Sequence, residues 1–326
     1  MTITQIQENK NILIRFARLH QNGRLAHAYL LIGPASIGKS ETALAIAKLV
    51  NCQDNGTLAQ DTYCGVCPSC LKIDGGNHPD VLLIDSGGES SIKIAQIRDL
   101  ISRSQLRPYE AKKKVFIIKN IEELTLQGSN ALLKTLEEPP ADSLLLLTTS
   151  VLEKNLGTIR SRCHAVYFFA QPYGELKTSL QKTLGLNESR AHFLAHFAEG
   201  FPGRAQLFQD EDVFTVQNQI LDQLVIKKKY VTFLKSRTSD KDQIKLILNV
   251  LLSWYRDLCL LKNGVPEEHV VHRDRVDELK KHLSKYSFDQ IQDILAAIVR
   301  TNKLLEENLN IKISLNILME KIWLRS

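Results

Sequence analysis

The segment Gly33–Ser40 has the residue types and the spacing of a phosphate-binding loop. Its sequence, GPASIGKS, fits G-x-x-x-x-G-K-[ST] in full, after a short apolar run and before a predicted helix that opens at Lys39. Gly33 and Gly38 allow backbone N–H groups to converge on phosphate oxygens, and the positive end of the helix adds to the attraction. In such a loop Lys39 contacts the terminal phosphates and Ser40 binds Mg²⁺. Pattern and context together favour a nucleotide site over a glycine-rich turn without nucleotide.

Hydrolysis at such a site also needs a carboxylate at the end of a neighbouring strand, to hold Mg²⁺, and a group that orients water. The candidate strand Val115–Ile118 runs instead into Lys119 and Asn120, with Glu122 and Glu123 further on. We expect a lysine at this position to repel Mg²⁺. The sequence therefore predicts impaired hydrolysis. The alternative is that one of the two glutamates supplies the missing carboxylate.

Four of the six cysteines fall within nineteen residues: Cys52, Cys64, Cys67 and Cys70. The first residues of the chain have no apolar signal core, so this cluster indicates a metal site rather than disulfides. Tetrahedral coordination of Zn²⁺ by four thiolates is the predicted use, and its closed ligand set predicts a structural role. The alternatives are free buried thiols and an iron–sulfur cluster, whose bacterial spacing is not matched because Asp74 stands at the fourth position.

Length and composition are those of a soluble protein with two or three domains. The 326 residues are 44% apolar and 24% charged, with a net charge of +6. This mildly basic balance tolerates an acidic partner such as DNA without requiring one. The most apolar later stretch, 244–261, is interrupted by Arg256 and Asp257, so we expect no membrane span and a cytoplasmic protein.

The first half of the chain alternates apolar runs of strand length with helical patterns. The runs are Ala28–Ile32, Val81–Ile84, Val115–Ile118, Leu144–Leu147 and Ala165–Phe168. Uniformly apolar strands that alternate with helices predict an α/β fold with a parallel sheet covered on both faces. Beyond Phe169 the strand signals end and the remaining sequence is helical. The helix predicted near 244–261 has apolar side chains on all of its sides, so it must be buried within its domain or against partners.

Several short motifs occur in an order that resembles the AAA+ clamp-loader subunits of bacterial DNA polymerase III. They are Leu25–Leu31 leading into the phosphate loop, the four-cysteine insert, His78–Asp80, Ala131–Pro140 and Thr158–Cys163. The resemblance covers nearly all of residues 1–170. It implies an AAA+ domain over 1–170 with a zinc module at 52–70, a helical lid over 171–212, and an all-α collar over 213–326 that holds five such subunits in a ring.

The resemblance also implies roles for single residues. Arg162 stands where the family carries an arginine finger, which reaches the nucleotide of a neighbouring subunit; a local ion pair with a carboxylate is the alternative. Thr149 is similar to the family's phosphate-sensing position, and Arg204 to the arginine of the lid. The implied partners are the other subunits of a hetero-pentamer, and, through that complex, a sliding clamp and primed DNA.

The departures from the family pattern distinguish among its members. Lys119 and Asn120 replace the acidic pair of the motor subunits, which favours a non-hydrolysing stator that contributes an arginine to its neighbour. The intact loop leaves binding of ATP or ADP open, and Mg²⁺ would enter only with nucleotide. An active motor ATPase of the same family is the second hypothesis. The third is an unrelated, zinc-stabilised nucleotide-binding regulator that acts alone.

Overall fold

The computed structural model of the chain describes residues 10–54, 56, 62–89, 91–151, 157–227, 241–306 and 311–323. The chain divides into two compact units, Met1–Ala170 and Gln171–Ser326, here called unit 1 and unit 2. The further division between a lid and a collar at 212/213 stays a prediction. Within the described residues, no helix is both long enough and apolar enough to cross a membrane.

Unit 1 alternates strands and helices along the chain. The elements are α1 (Lys10–Gln21), β1 (Ala28–Ile32), α2 (Lys39–Asn51), α3 (Pro68–Asp74), β2 (Val81–Ile84), α4 (Ile94–Ser104), β3 (Lys114–Ile118), a 3₁₀ turn (Ile121–Glu123), α5 (Leu126–Glu137), β4 (Ser143–Thr149), α6 (Gly157–Arg160) and β5 (His164–Tyr167). All five predicted strands are present, each within two residues of its expected bounds.

The five strands form one parallel sheet in the order β2-β3-β4-β1-β5. β1 lies between β4 and β5, with Ile32 opposite Thr149, and Ile118 of β3 lies opposite Leu147 of β4. The central strands are buried throughout because helices cover both faces of the sheet. The predicted α/β fold with a parallel sheet is confirmed. Its carboxyl edge brings together the segments that follow β1, β3 and β4.

A buried carboxylate organises the turn that precedes β3. Asp80, which is 4% exposed, accepts hydrogen bonds of 2.8–2.9 Å from the backbone N–H groups of Tyr109, Glu110 and Ala111. Burial disfavours the charged form of Asp80, but these hydrogen bonds outweigh that effect and lower its pKa. A charged aspartate therefore holds the turn in place.

Replacing Asp80 with asparagine is expected to lower the free energy of unfolding by about 3 kcal/mol at neutral pH, because the amide nitrogen cannot accept these hydrogen bonds. Since folding lowers the pKa of Asp80, its stabilisation is complete above the unfolded aspartate pKa of about 3.9. It is lost as the pH falls through the lower folded value. Urea unfolding at neutral and acid pH measures both effects.

Asp99→Asn is the matched control for this prediction. Asp99 is exposed and pairs with Arg103 at 2.9 Å, so its loss should cost less than about 0.5 kcal/mol. Equal destabilisation by Asp80→Asn and Asp99→Asn would contradict the role given to Asp80.

The described part of unit 2 is helical. Its elements are α7 (Tyr173–Leu184), α8 (Glu188–Phe197), α9 (Pro202–Asp210), α10 (Val213–Ile220), a π-helical segment (Leu221–Ile226), α11 (Lys241–Lys262), 3₁₀ turns (Glu267–His269 and Arg273–Arg275), α12 (Val276–Leu283), α13 (Phe288–Glu306) and α14 (Ile311–Trp323).

The apolar helix predicted near 244–261 is α11, and unit 2 itself buries it. Trp254 and Tyr255 are fully buried in a core that residues of α13 and α14 complete. The core of unit 2 therefore buries one side of α11. Three described residues of α13 and α14 keep large apolar side chains exposed: Phe288, Val299 and Ile317.

Candidate functional site

The loop Gly33–Gly38 joins β1 to α2 at the carboxyl edge of the sheet. Ser36 and Gly38 have positive φ angles of 60° and 91°. A Cβ atom on Gly33 would lie 2.8 Å from the Cβ of Phe168, which is closer than real side chains approach. The backbone conformation at Gly38 and the close packing at Gly33 therefore explain both glycines of the motif.

Lys39 is the first residue of α2 and is 6% exposed. Its Nζ donates to the carbonyl oxygens of Gly33 and Pro34 at 2.6 and 2.7 Å, and to Ser150 Oγ at 3.1 Å. An ammonium group has three donors, so all of them are in use. Burial lowers the pKa of Lys39 to about 8, and nearby carboxylates oppose that shift. The Lys39 ammonium is thus hydrogen-bonded to the phosphate loop itself.

A cleft of about 310 Å³ opens beside this loop, close to the lower end of the range for small-ligand sites. Its lining comes from the loop, from the start of α2, from the turn after β3 and from the end of β4. The lining residues are Ala35, Ser36, Gly38, Lys39, Ser40, Glu41, Asn120, Glu122 and Ser150. The structure therefore brings Gly38, Lys39 and Ser40, the predicted phosphate and Mg²⁺ contacts, to one cleft.

The two residues after β3, Lys119 and Asn120, differ in their position relative to the cleft. Lys119 Nζ lies 3.4 Å from Asp85 Oδ2, and Lys119 is not among the described residues that line the cleft. The Lys119 ammonium is thus directed to Asp85, and its predicted repulsion of Mg²⁺ stays a prediction. Asn120 does line the cleft; its backbone N–H donates to Thr148 Oγ1 and its Nδ2 to Glu123 Oε1. What β3 lacks is a strand-end carboxylate.

At the end of β4, Ser150 rather than Thr149 lines the cleft. Thr149 is fully buried, and its hydroxyl donates to the carbonyl oxygen of Val151 at 3.0 Å. The phosphate-sensing role of Thr149 stays a prediction. Sequence reasoning missed Ser150, because the predicted strand ends at Leu147, and Thr148 and Thr149 stand between it and Ser150.

Glu122 lies in the 3₁₀ turn after β3, and this turn places it at the cleft. Its Oε1 accepts a hydrogen bond of 2.9 Å from the backbone N–H of Ser150. As expected, both glutamates lie past the end of β3, and the turn brings Glu122 to the cleft. Of the two, Glu122 alone is among the described residues that line the cleft.

Arg162 follows α6 and makes local contacts in the single chain. Its Nε donates to Glu137 Oε1 at 2.8 Å, and its Nη1 donates to the carbonyl oxygen of Thr158 at 2.9 Å. The side chain remains 33% exposed. The local ion pair considered as the alternative is thus present, and the role toward a neighbouring subunit stays a prediction.

Arg204 lies in α9 of unit 2. Its Nη1 is 2.7 Å from Glu199 Oε2, and its guanidinium lies over the ring of Phe201 at 4.9 Å from the ring centre. These contacts lie within unit 2 and do not test the role of Arg204 toward nucleotide, which stays a prediction.

The structure brings the four clustered cysteines together between α2 and β2. The sulfur atoms of Cys52, Cys64, Cys67 and Cys70 all lie within 4.8 Å of one another. α3 begins directly after Cys67, which places Cys70 one helical turn away. Residues 55 and 57–61 of the predicted zinc module lie outside the described residues.

The geometry of this cluster fits Zn²⁺. With Zn–S bonds of about 2.3 Å, the sulfur atoms of a tetrahedral site lie about 3.8 Å apart. The Sγ atoms of Cys52 and Cys64 are 3.6 Å apart. The backbone N–H groups of Cys64 and Cys67 point at sulfur, at 3.4 and 3.3 Å, which favours the thiolate form. No carboxylate or imidazole joins the group among the described residues, so the donor set suits a structural metal.

Comparison with known proteins gives matches over both halves of the chain. A family model described as DNA polymerase III, delta subunit, matches residues 8–172, and one described as DNA polymerase III, delta subunit, C terminal, matches residues 214–322. DNA polymerase III subunit delta' of Bacillus subtilis is 27% identical over 304 residues, covering 90% of this chain and 89% of that protein.

Other relatives are longer than this chain. DNA polymerase III subunit tau of Escherichia coli is 33% identical over 229 residues, which are 69% of this chain but 35% of that protein. Among solved structures, a gamma subunit-related protein of DNA polymerase III from Thermotoga maritima is similar, with a TM-score of 0.48, 20% identity, and coverage of 96% of this chain and 99% of that one.

Proposed function

We propose, from the premise that this chain belongs to the DNA polymerase III delta-subunit family, that it is a delta-prime-like stator of the clamp loader. In this role it does not turn over ATP. It completes the ATP site of a neighbouring subunit while the assembly loads a sliding clamp onto primed DNA. The similarity to subunit delta' along 90% of the chain supports the assignment.

One observation carries the choice of a stator over a motor. The strand that should end in Mg²⁺-binding and water-orienting carboxylates ends in Lys119, directed to Asp85, and in Asn120, whose amide is bonded to Glu123. An amide is a weaker ligand for a hard cation than a carboxylate and cannot act as a base. The intact phosphate loop supports nucleotide binding. The strand end after β3, which lacks these carboxylates, does not support ATP hydrolysis.

The contribution in trans is assigned to Arg162. Its present partner, Glu137, is 49% exposed, and ion pairs between such exposed groups contribute about 0.2–1 kcal/mol. Exchanging this partner for the phosphates of a neighbouring nucleotide would therefore cost little. A planar, permanently charged guanidinium is suited to stabilise charge on a transferring phosphoryl group.

A motor ATPase of the same family is the second candidate, and one contact favours it. Glu122 lines the cleft and would bring a carboxylate close to the loop. Assembly of the chain with other subunits needs its own test.

Zinc in this proposal is structural, held by the four clustered cysteines. ATP or ADP would occupy the cleft at Gly33, Gly38, Lys39 and Ser40, with Mg²⁺ entering together with the nucleotide. The implied partners are the other clamp-loader subunits in a hetero-pentamer, and through them the clamp and primed DNA. The place of action would be the cytoplasm.

The test measures ATP hydrolysis by the purified chain, with and without clamp and primed DNA, and its co-elution with the other clamp-loader subunits on gel filtration. We expect co-elution and no turnover above that of a Lys39→Ala variant. Turnover that Lys39→Ala abolishes would identify a motor instead. Failure to co-elute would favour the solitary regulator.

A further inference from the structure

One carboxylate that lines the cleft beside the phosphate loop has a buried oxygen without a hydrogen-bond partner among the described residues. Of the described residues that line it, two are acidic, Glu41 and Glu122. Glu41 lies in the first turn of α2, where a negative charge favours the helix end by itself. Glu122 has no such explanation, because it belongs to a three-residue 3₁₀ turn.

The two oxygens of Glu122 are in different situations. Oε1 accepts the backbone N–H of Ser150 at 2.9 Å, which ties the turn after β3 to the end of β4. Oε2 is buried and has no hydrogen-bond partner among the described residues. A buried carboxylate oxygen without a donor or a cation is costly, so this atom marks a position where a partner is missing.

Lys39 does not fill that position. It is close enough for its charge to interact with that of Glu122. However, its three donors are already used by Gly33, Pro34 and Ser150. Asn120, the other polar side chain from the β3 turn, directs its amide nitrogen to Glu123. None of the described groups therefore satisfies Oε2 of Glu122, whose residue lines the cleft where a ligand would bind.

We infer that Glu122 is the Mg²⁺-directed acid of this nucleotide site, replacing the strand-end carboxylates that Lys119 and Asn120 do not supply. Mg²⁺ prefers oxygen ligands and binds through one or two carboxylates, keeping several waters, together with substrate phosphates. Glu122 and Ser40 lie in the same cleft and offer a carboxylate and a hydroxyl. Without the cation, the same carboxylate faces the phosphates as a like charge and opposes them.

Nucleotide binding to the isolated chain is therefore selective for the magnesium complex. This inference rests on the nucleotide-binding part of the proposed function and is independent of hydrolysis. A cation can be held by Glu122 while the base that hydrolysis needs is still lacking. A stator can thus bind nucleotide with Mg²⁺ and leave it uncleaved.

Calorimetric titration of the full chain with ADP, in excess Mg²⁺ and in chelator, tests this inference. We expect Mg²⁺ to tighten ADP binding at least about tenfold in the unchanged chain. In Glu122→Gln the effect should shrink to less than about twofold, while ADP binding in chelator stays equal or becomes tighter because one negative charge is gone. Thermal unfolding without ligand checks that each variant is folded.

Glu123→Gln is the matched control, since it removes a carboxylate of the same turn that is not among the described residues lining the cleft, and it should keep the magnesium effect. Loss of the effect in this control, its persistence in Glu122→Gln, or its absence from the unchanged chain would each overturn the inference. Because the titration uses the isolated chain and measures no turnover, its failure is distinct from failure of the stator assignment, which depends on co-elution and on ATPase.

Discussion

If Arg162 has the proposed role in trans, its replacement with alanine is expected to lower ATP turnover at the neighbouring site by about 10³-fold. The reason is that an arginine supplied in trans stabilises charge on the transferring phosphoryl group. The measurement is ATPase activity of the reconstituted complex, assembled so that only the neighbouring subunit has an intact phosphate-loop lysine.

Two variants separate this role from a structural one. Arg160→Ala removes another arginine of the same segment, whose guanidinium contacts the Tyr167 hydroxyl, and should leave turnover unchanged. Arg162→Lys keeps the charge but loses the planar fork, so it should restore little. Assembly should persist in Arg162→Ala, since the ion pair to Glu137 is partly exposed and contributes little. Undiminished turnover in an assembled Arg162→Ala complex would contradict the proposal.

Removal of the zinc ligands should have the largest effect on stability. We expect the purified chain to contain one zinc per chain and Cys67→Ser to contain none. The free energy of unfolding should fall by at least about 4 kcal/mol, because metal binding contributes directly to the folding of the segment that it closes. Elemental analysis measures the metal, and urea unfolding measures the stability. A chelator strong enough to remove the metal should reproduce the loss in the unchanged chain.

The other two cysteines provide the controls. Cys163 and Cys259 lie outside the cluster, and burial raises the pKa of the Cys163 thiol to about 12, so it is a neutral thiol at neutral pH. Cys163→Ser and Cys259→Ser should each retain one zinc. A metal-free preparation of the unchanged chain would refute the zinc assignment, and visible absorbance with bound iron would identify an iron–sulfur cluster instead.

The strands of unit 1 could be predicted because a parallel strand covered on both faces is apolar at successive positions. One strand, β3, departs from this apolar pattern. β3 begins one residue before the apolar run, at Lys114, which is 8% exposed and whose Nζ donates to the carbonyl oxygen of Arg103. The carbonyl at the neighbouring helix end and the Asp80 carboxylate, 4.0 Å from Nζ, make a buried lysine acceptable there. A strand pattern contains no information about either group.

The candidate site was predicted in part for a similar reason. Gly33, Gly38, Lys39 and Ser40 lie in one short segment, so their spacing already specifies the loop and its phosphate-directed groups. The orientation of Lys119 toward Asp85 and the return of Glu122 to Ser150 could not be predicted. Both depend on which strands are neighbours and on how the 3₁₀ turn reverses the chain.

The amino-acid sequence by itself determined the parallel α/β fold, the phosphate loop, the four-cysteine cluster and the lack of an acidic pair after β3. Each of these is specified within a continuous stretch, where spacing and side-chain chemistry are sufficient. The tertiary structure decided that Ser150 and Glu122 face the loop, that Lys119 does not, and that α11 is buried in its own unit. These outcomes depend on contacts between distant segments, which strand order and helix packing establish only when the chain is folded.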